Sequence, residues 1–245
     1  ALIISDVTGD EATHIASGPC SPDPSTCSDA LAVLDQYHLN VPPAVRKTLL
    51  EGIVRTASET PKPGSLIFSR VENRIIASAY QSLLASANYF QEHTIATLIL
   101  GDTVTGESRE IAKSYAALAR EIRLHPQLLK APIVLLSGGE TTVTIKGNGR
   151  GGRNSEFLLS LLIELDGLKD IYALACDTDG LDGTENNAGA LISPDSLVRA
   201  KQLGLNAASF LTNNDAYTFF EQLNDLVITG PTYTNVNDYR AILIL

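Results

Sequence analysis

Residues 133–140 read Ile133-Val134-Leu135-Leu136-Ser137-Gly138-Gly139-Glu140, and this stretch decides the fold class. Four consecutive apolar residues are typical of a strand that is buried on both faces of a sheet. Small and acidic residues follow at once and predict a polar tip at the end of that strand. The same pattern recurs along the chain at residues 2–6, 97–102, 172–180 and 226–232.

Segments with helical periodicity lie between these apolar runs. They span residues 28–37, 43–51, 75–92, 107–124, 155–165, 194–203 and 215–223. Strands that alternate with helices predict an α/β fold. Ligands of such folds bind outside the carboxyl ends of the strands, which is where the polar tips are expected.

A basic, glycine-rich loop follows the opening stretch. Residues 146–154 hold four glycines and three cations, in a chain with ten more acids than bases. They separate an alternating run at 142–145, which predicts a strand, from an apolar run at 157–165, which predicts a helix. Bare backbone N–H groups, a helix N-terminus and arginine side chains all attract anions. We therefore expect an anion-binding site here, the alternative being a plain turn with solvated arginines.

Composition narrows the class of protein further. With 245 residues and 44% hydrophobic content, the chain can form one large or two ordinary domains. The net charge of −10 argues against general nucleic-acid binding, and no apolar run reaches the length of a membrane span. Three cysteines predict no disulfide framework and favour a reducing, cytoplasmic location. The chain contains no Met and opens within a predicted strand, so we expect a missing N-terminal part, the alternative being methionines lost from the sequence.

Candidate binding groups occur near the first strand. Asp6 follows it directly and would orient a substrate hydroxyl or a hydrated metal ion. Ser17 and Gly18 would present backbone N–H groups to a ligand. A proline-rich loop with Asx turns explains the same residues equally well.

The tip of the opening stretch offers several functional groups. Gly138 and Gly139 permit close backbone approach, Ser137 and Thr141 offer hydroxyls, and Glu140 is an acid. The spacing of a P-loop is absent. Because this tip lies next to the basic loop in the sequence, we expect it to have a function.

Acidic and amide-rich tips complete the set. Residues 177–183 bring three acids together but do not fit the calcium-loop pattern, so a hydrated Mg²⁺ shared with phosphates and a solvated turn stay as alternatives. Asn213, Asn214 and Asp215 form a helix N-cap signature. Residues 229–238, which include Thr234 and Asn235, concentrate hydroxyls and amides at the end of another predicted strand.

Taken together, these strings resemble the motifs of one family. They look like the motifs of the MOFRL-type glycerate 2-kinases. The strings that carry this likeness are residues 4–7 with 15–24, 136–141, 151–156, 177–183, 213–215 and 229–238. Some members of that family carry the older label hydroxypyruvate reductase. The likeness extends over essentially the whole sequence.

The resemblance implies ATP-dependent phosphorylation of D-glycerate at its 2-hydroxyl, with 2-phosphoglycerate as the product. It also implies two domains with the site in the cleft between them. Residues 1–130 would form the latter part of a Rossmann-like, three-layer N-terminal domain. Residues 131–245 would form the C-terminal α/β MOFRL domain.

The resemblance further implies that Arg153 is the catalytic arginine. The family's catalytic lysine belongs to the N-terminal half that this sequence lacks, so we expect the fragment alone to be inactive. Asp177 or Asp179 would hold a metal ion through water, with ATP and Mg²⁺ as cofactors. The expected partners are D-glycerate and the nucleotide, without nucleic acid or membrane, and an oligomer is compatible with the sequence. The residues expected to bind substrate or nucleotide are Asp6, Ser17, Gly18, Ser137, Gly138, Gly139, Glu140, Thr141, Gly151, Gly152, Asn154, Asp179, Asn213, Asp215, Thr234 and Asn235.

Two rival functions stay open at this point. An NAD(P)-dependent hydroxypyruvate reductase would seat a pyrophosphate on the spacing Gly147-x-Gly149-x-x-Gly152. No clear ribose-binding acid follows a strand at the distance that this fold requires. The other rival is a non-catalytic, anion-binding module.

Overall fold

The computed structural model describes residues 1–54, 59–125, 127 and 129–245. Its strands within these ranges are β1 (Leu2–Ile4), β2 (Arg74–Ala77), β3 (Ala96–Glu107), β4 (Ile133–Thr142), β5 (Ile171–Asp177), β6 (Gly189–Ile192), β7 (Leu226–Val227) and β8 (Asp238–Ile244). Its α-helices are α1 (Cys27–Gln36), α2 (Pro43–Val54), α3 (Ala79–Glu92), α4 (Ser108–Leu124), α5 (Arg153–Leu165), α6 (Ser196–Gln202), α7 (Ala207–Thr212) and α8 (Ala216–Leu223). The predicted α/β class is confirmed.

The described residues form two compact units. The first comprises Ala1–Ile3 and Asp10–Ile76, and the second comprises Ile4–Gly9 and Ala77–Leu245. The domain boundary predicted after residue 130 lies inside the second unit, between β3 and β4. These two strands pair in parallel, so main-chain hydrogen bonds join the residues on either side of that position. The family-based domain boundary stays a prediction.

The second unit is built on a six-stranded sheet with the order β3-β4-β8-β5-β6-β7. β3 and β4 are parallel, and the other neighbouring pairs are antiparallel. β8 lies between β4 and β5 and runs against both. The first residues of β8 therefore lie at the edge of the sheet where β4 and β5 end.

Alternate residues of β4 pack into two separate cores. Ile133 and Leu135 join the larger core, which includes the buried faces of α4 and α5. Val134 and Leu136 pack against Leu83 of α3 on the opposite face. β4 is thus buried on both faces, as its continuous apolar run predicts, and helices cover both sides of the sheet.

The first unit has a small core of its own. Thr26 and Asp29 form a reciprocal capping box at the start of α1, which satisfies N–H groups that a helix end otherwise leaves unpaired. Its buried hydrophobic residues in the described ranges are Ile15 and Leu31, whereas Val54 and Leu66 are more than 80% exposed. Packing within this unit therefore contributes little hydrophobic stabilisation.

No helix in the described ranges has both the length and the apolar character to cross a lipid bilayer.

Two predicted elements differ from the structure. The separate strand predicted at 142–145 does not form, because Thr142 ends β4 and the next backbone donors bond to side chains rather than to a neighbouring strand. The N–H of Thr144 donates to Glu107 and that of Lys146 donates to Asn214. The helix predicted from residue 75 begins at Ala79, after β2 and a Ser78 cap. The apolar runs in the sequence do not predict helix α7 or strands β6 and β8, because these elements are short or contain polar residues.

Candidate active site

A cavity of about 650 Å³ opens at the edge of the sheet where β4 and β5 end. This volume lies within the range typical of small-molecule and cofactor sites. The tip of β4, the tip of β5, the glycine-rich loop and residues near the start of α8 all contribute to its wall. The predicted site residues that line it are Glu140, Thr141, Gly151, Gly152, Arg153, Asp177, Asp179 and Asn235.

Arg153 begins α5, and three carboxylates hold its guanidinium. Nε donates to Oδ1 of Asp238 at 2.7 Å, Nη1 to Oε1 of Glu140 at 2.8 Å and Nη2 to Oδ2 of Asp177 at 2.7 Å. Burial opposes the charge, but the attraction of Asp238, Asp177 and Glu140 outweighs it and raises the pKa of Arg153. The arginine therefore stays charged and is oriented before any ligand arrives.

The three carboxylates differ in accessibility. The side chain of Glu140 is 51% exposed, whereas those of Asp177 and Asp238 are 6% and 0% exposed. An exposed ion pair in water is weak and exchanges its partners easily. A ligand anion would therefore displace Glu140 from Arg153 more readily than it would displace Asp238.

Asp177 is the most strongly perturbed acid of the cavity. Burial raises the pKa of Asp177 to about 7, and the neighbouring carboxylates of Asp179 and Asp238 act in the same direction against the attraction of Arg153. A carboxyl group that titrates near neutral pH in a cavity is a candidate acid or base.

Internal hydrogen bonds use most backbone donors of the glycine-rich loop. The N–H groups of Lys146 and Gly147 donate to Oδ1 of Asn214, and those of residues 148–150 donate to the 213–215 segment. A Cβ at position 149 would lie 2.3 Å from the Cβ of Asp215. This glycine therefore permits close packing within the protein, rather than close approach of a ligand.

An internal carboxyl group already occupies the N-terminus of α5. Asp182 is fully buried, and it accepts the N–H groups of Asn154 at 2.9 Å and Ser155 at 2.8 Å as well as the Ser155 hydroxyl. A Cβ on Gly152 would lie 2.4 Å from Asp182. The predicted use of this helix end for a ligand is thereby restricted.

Three backbone donors stay available at the cavity. The N–H groups of Gly151, Gly152 and Arg153 have no hydrogen-bond acceptor within the described part of the chain. All three residues line the cavity. Together with the Arg153 side chain, they give this wall of the cavity its capacity for an anion.

Other predicted residues support the site from outside the cavity. Asn154 is fully buried and donates from Nδ2 to Oδ1 of Asp238 at 2.7 Å. Asn213 and Asp215 hold the glycine-rich loop. Ser137, Gly138 and Gly139 lie in β4 and do not line the cavity, and Thr234 lies outside it as well.

The hydrogen-bond network of Arg153 does not include Asp6. Asp6 belongs to a short segment of the second unit and makes no side-chain hydrogen bond or ion pair with described residues. Ser17 and Gly18 belong to the first unit. There they line a separate cavity of about 430 Å³ together with His14, Asp23 and Phe68.

Several residues of the site were not among those predicted from the sequence. Asp182 and Asp238 lie inside the strings 177–183 and 229–238, in which other residues were predicted to bind ligands. Glu156 is buried and accepts Nε of Arg109 at 2.8 Å and Nδ2 of Asn214 at 2.8 Å, which ties α5 to the segment that holds the loop. Arg240 carried one detectable signal, a charge directly before the apolar residues that end β8.

No group of three or more His, Cys, Asp or Glu side chains in the described ranges has the arrangement of a metal site. Asp177 and Asp179 both line the cavity. Two carboxylates suit a magnesium ion that keeps its water shell and takes its other ligands from phosphate oxygens. An ion that arrives with a nucleotide is therefore compatible with these residues.

Comparison with known proteins gives a consistent result. The model of the MOFRL family matches residues 133–238, and that of a domain of unknown function (DUF4147) matches residues 1–50. A protein of Agrobacterium vitis named "Putative hydroxypyruvate reductase" is 46% identical over 99% of the chain, and 54% of that protein is covered. The D-glycerate 2-kinase of Thermotoga maritima is 37% identical over 100% of the chain, and 56% of it is covered.

The fold is shared as well. A crystal structure of glycerate kinase from Thermotoga maritima superposes with a TM-score of 0.88 at 36% identity, covering 100% of this chain and 56% of that one. The chain spans about half the length of the curated relatives that it matches. It belongs to the MOFRL-type family of glycerate kinases.

Proposed function

We propose that this protein transfers a phosphoryl group from ATP to the 2-hydroxyl of D-glycerate and forms 2-phosphoglycerate. The observation that carries the proposal is Arg153, a permanently charged group oriented by buried carboxylates at a cavity of ligand size. Phosphoryl transfer depends mainly on positioning and on neutralising charge. The names of the relatives supply the substrate class.

Arg153 is the proposed catalytic residue. Its Nε stays on buried Asp238, while Nη1 moves from the exposed Glu140 to an anionic group of the ligand. Arginine binds carboxylate and phosphate oxygens through its planar fork. The backbone N–H groups of Gly151 and Gly152 lie in the same wall and would bind further oxygens of that anion.

Asp177 and Asp179 line the same cavity as Arg153 and have a second proposed role. Asp177 titrates near neutral pH because it is buried, so its ionised form is suited to accept the proton of the attacking hydroxyl. The same two carboxylates would bind the water shell of the Mg²⁺ that accompanies ATP. When bound, that ion neutralises charge on the phosphates.

The reductase alternative has less support from this loop. A dinucleotide fingerprint uses its glycines to bring backbone N–H groups to the pyrophosphate. Here the N–H groups of residues 146–150 donate to the 213–215 segment instead. The spacing Gly147-x-Gly149-x-x-Gly152 therefore reflects internal packing.

The decisive experiment uses the full-length protein with D-glycerate, ATP and Mg²⁺. ADP release and a product that enolase converts directly, without a mutase, would identify 2-phosphoglycerate. The control contains hydroxypyruvate with NADH or NADPH in place of D-glycerate and ATP. Cofactor oxidation without any ADP release would overturn the kinase proposal, and binding without turnover in either assay would favour an anion-binding module.

A further inference from the structure

The mechanism above leaves one buried cation without a role. Arg240 lies in β8 in the middle of the sheet, and its side chain is 0% exposed. Arginine is almost never buried completely unless it is paired, because removing its charge from water is costly. Its position therefore calls for an explanation beyond the filling of space.

The side chain of Arg240 contacts residues of three elements near Arg153. Nη2 donates to Oδ2 of Asp238 at 2.5 Å and to Oγ1 of Thr141 at 3.0 Å, and Nη1 donates to the carbonyl of Gly138 at 3.3 Å. Its guanidinium also lies 5.1 Å from the ring centroid of Phe157 in α5. One side chain thus joins β4, β8 and α5.

Asp238 connects the two arginines. Arg240 binds Oδ2, while Oδ1 accepts Nε of Arg153 and Nδ2 of Asn154, both at 2.7 Å. With donors on both oxygens, the carboxylate cannot rotate to follow Arg153. Nε of Arg153 therefore has a fixed acceptor, and its two terminal nitrogens stay directed to the cavity side.

The charges of this group are also balanced through Arg240. Two arginines face the three carboxylates of Glu140, Asp177 and Asp238. Without Arg240, Arg153 alone would face all three, and less of its charge would be available to a ligand. The buried cation would thus influence the reaction without touching the substrate.

We propose that Arg240 is a positioning residue for Arg153 and that it acts through the Asp238 carboxylate. The proposal rests on the phosphoryl-transfer function proposed above. It assigns Arg240 an effect on turnover rather than on nucleotide binding, because no atom of Arg240 lines the cavity.

The test compares Arg240→Met with Arg199→Met in the full-length protein. Arg199 is the matched control, since it also pairs with a buried acid, Asp225, at 2.7 Å and, like Arg240, does not line the cavity. Both variants are expected to melt at lower temperature. Only Arg240→Met is expected to lower kcat, by about tenfold or more, with the KM for ATP within about twofold of the wild-type value.

A double-mutant cycle tests the route through Asp238. If Arg240 acts through this carboxylate, Arg240→Met lowers kcat in the wild-type background but has little further effect in an Asp238→Asn background. An equal loss of kcat in both backgrounds would overturn the proposal. So would a folded Arg240→Met variant whose kcat is within about twofold of wild type.

Two further measurements cover misfolding and inactivity. If Arg240→Met does not fold, Arg240→Lys keeps the charge but not the fork, and an intermediate kcat supports the proposal while a wild-type kcat contradicts it. If the wild-type protein forms no ADP, the function proposed above fails by itself. The positioning role is then tested with the Nε–H proton resonance of Arg153, which is assigned by its loss in Arg153→Lys. This resonance should shift in Arg240→Met or Arg240→Lys but not in Arg199→Met. An unchanged resonance in the Arg240 variants would contradict the positioning role.

Discussion

The two arginines of the glycine-rich stretch stand three residues apart and occupy different environments. Arg150 is 51% exposed, pairs with Glu185 and lies 4.2 Å from the ring centroid of Tyr217. Arg153 is 23% exposed and bonds to three carboxylates, two of them buried. Membership of a basic motif therefore does not determine the environment of an arginine. The number and the burial of the partners separate Arg153 from Arg150.

The largest effect is expected at Arg153. Arg153→Lys keeps a positive charge, but a lysine cannot bond to three directions in the plane of a guanidinium. We expect kcat for ADP formation to fall by about 10³-fold, the range found when an arginine that stabilises the transition state is lost. A kcat within tenfold of wild type would remove the proposed distinction between the two arginines.

Arg153→Ala is a poorer variant for this purpose. It is expected to destabilise the fold, because fully buried Asp238 would lose a charged partner. Breaking a buried pair from one side typically lowers the free energy of unfolding by about 3–5 kcal/mol, so this variant is expected to melt earlier than Arg153→Lys.

The next largest effect is expected at Asp182, which accepts the N–H groups at the start of α5. Asp182→Ala removes the acceptor of two helix N–H groups and one hydroxyl in a buried place. We expect the free energy of unfolding, measured with urea, to fall by about 2 kcal/mol. Asp182→Asn retains one acceptor oxygen and should lose less. Equal losses in both variants would mean that the cap is not the source of the effect.

The next prediction concerns the pH dependence of kcat/KM, which should follow the ionisation of Asp177, a buried partner of Arg153. Because burial raises its pKa to about 7, kcat/KM should rise with pH through that value as the carboxylate forms. Asp179→Asn removes a neighbouring negative charge that raises the pKa of Asp177, so the rising limb should move to lower pH even if the maximum falls. An unmoved limb would assign the titration to another group.

Ionisation of Asp177, which should raise kcat/KM, should lower the free energy of unfolding. The pKa of Asp177 lies above its ordinary value of 3.8, so the native protein holds this proton more tightly than the unfolded chain does. The resulting stabilisation is complete below about pH 4 and is lost as the pH rises through about 7. Asp177→Asn should flatten this part of the curve of unfolding free energy against pH.

The smallest effect is expected at Arg150. Its guanidinium has one carboxylate partner and is open to solvent, where ion pairs are weak and screened by salt. Arg150→Ala should leave kcat within about threefold of wild type. A loss similar to that of Arg153→Lys would show that both ends of the loop bind the reacting anion.

Local patterns explain what the sequence predicts correctly. The apolar run of β4, the helix after the glycine-rich loop and the acidic end of β5 are visible within about ten residues each, because periodicity and strand tips are local properties. The catalytic role of Arg153 comes from the resemblance of its motif and stays a prediction. The convergence of the β4 and β5 tips follows from the α/β class.

The remaining features depend on pairings between distant segments. Asp238 meets Arg153 only because β8 inserts between β4 and β5 in the opposite direction. The glycines of the loop serve the 213–215 segment, which no local rule connects to them. The helix N-terminus could be predicted as an anion site, but not that Asp182 had already filled it.

The insertion of β8 also has a consequence for biosynthesis. The ribosome delivers β4 and β5 well before residues 238–244, so their facing edges stay open until the last described strand is made. Unpaired strand edges invite association with other chains, and pairings between distant segments form slowly. A nascent chain stalled before residue 238 would contain Arg153, yet it would lack both Asp238 and Arg240. The carboxylate that orients Arg153 would therefore be in place only after β8 has been made and has joined the sheet.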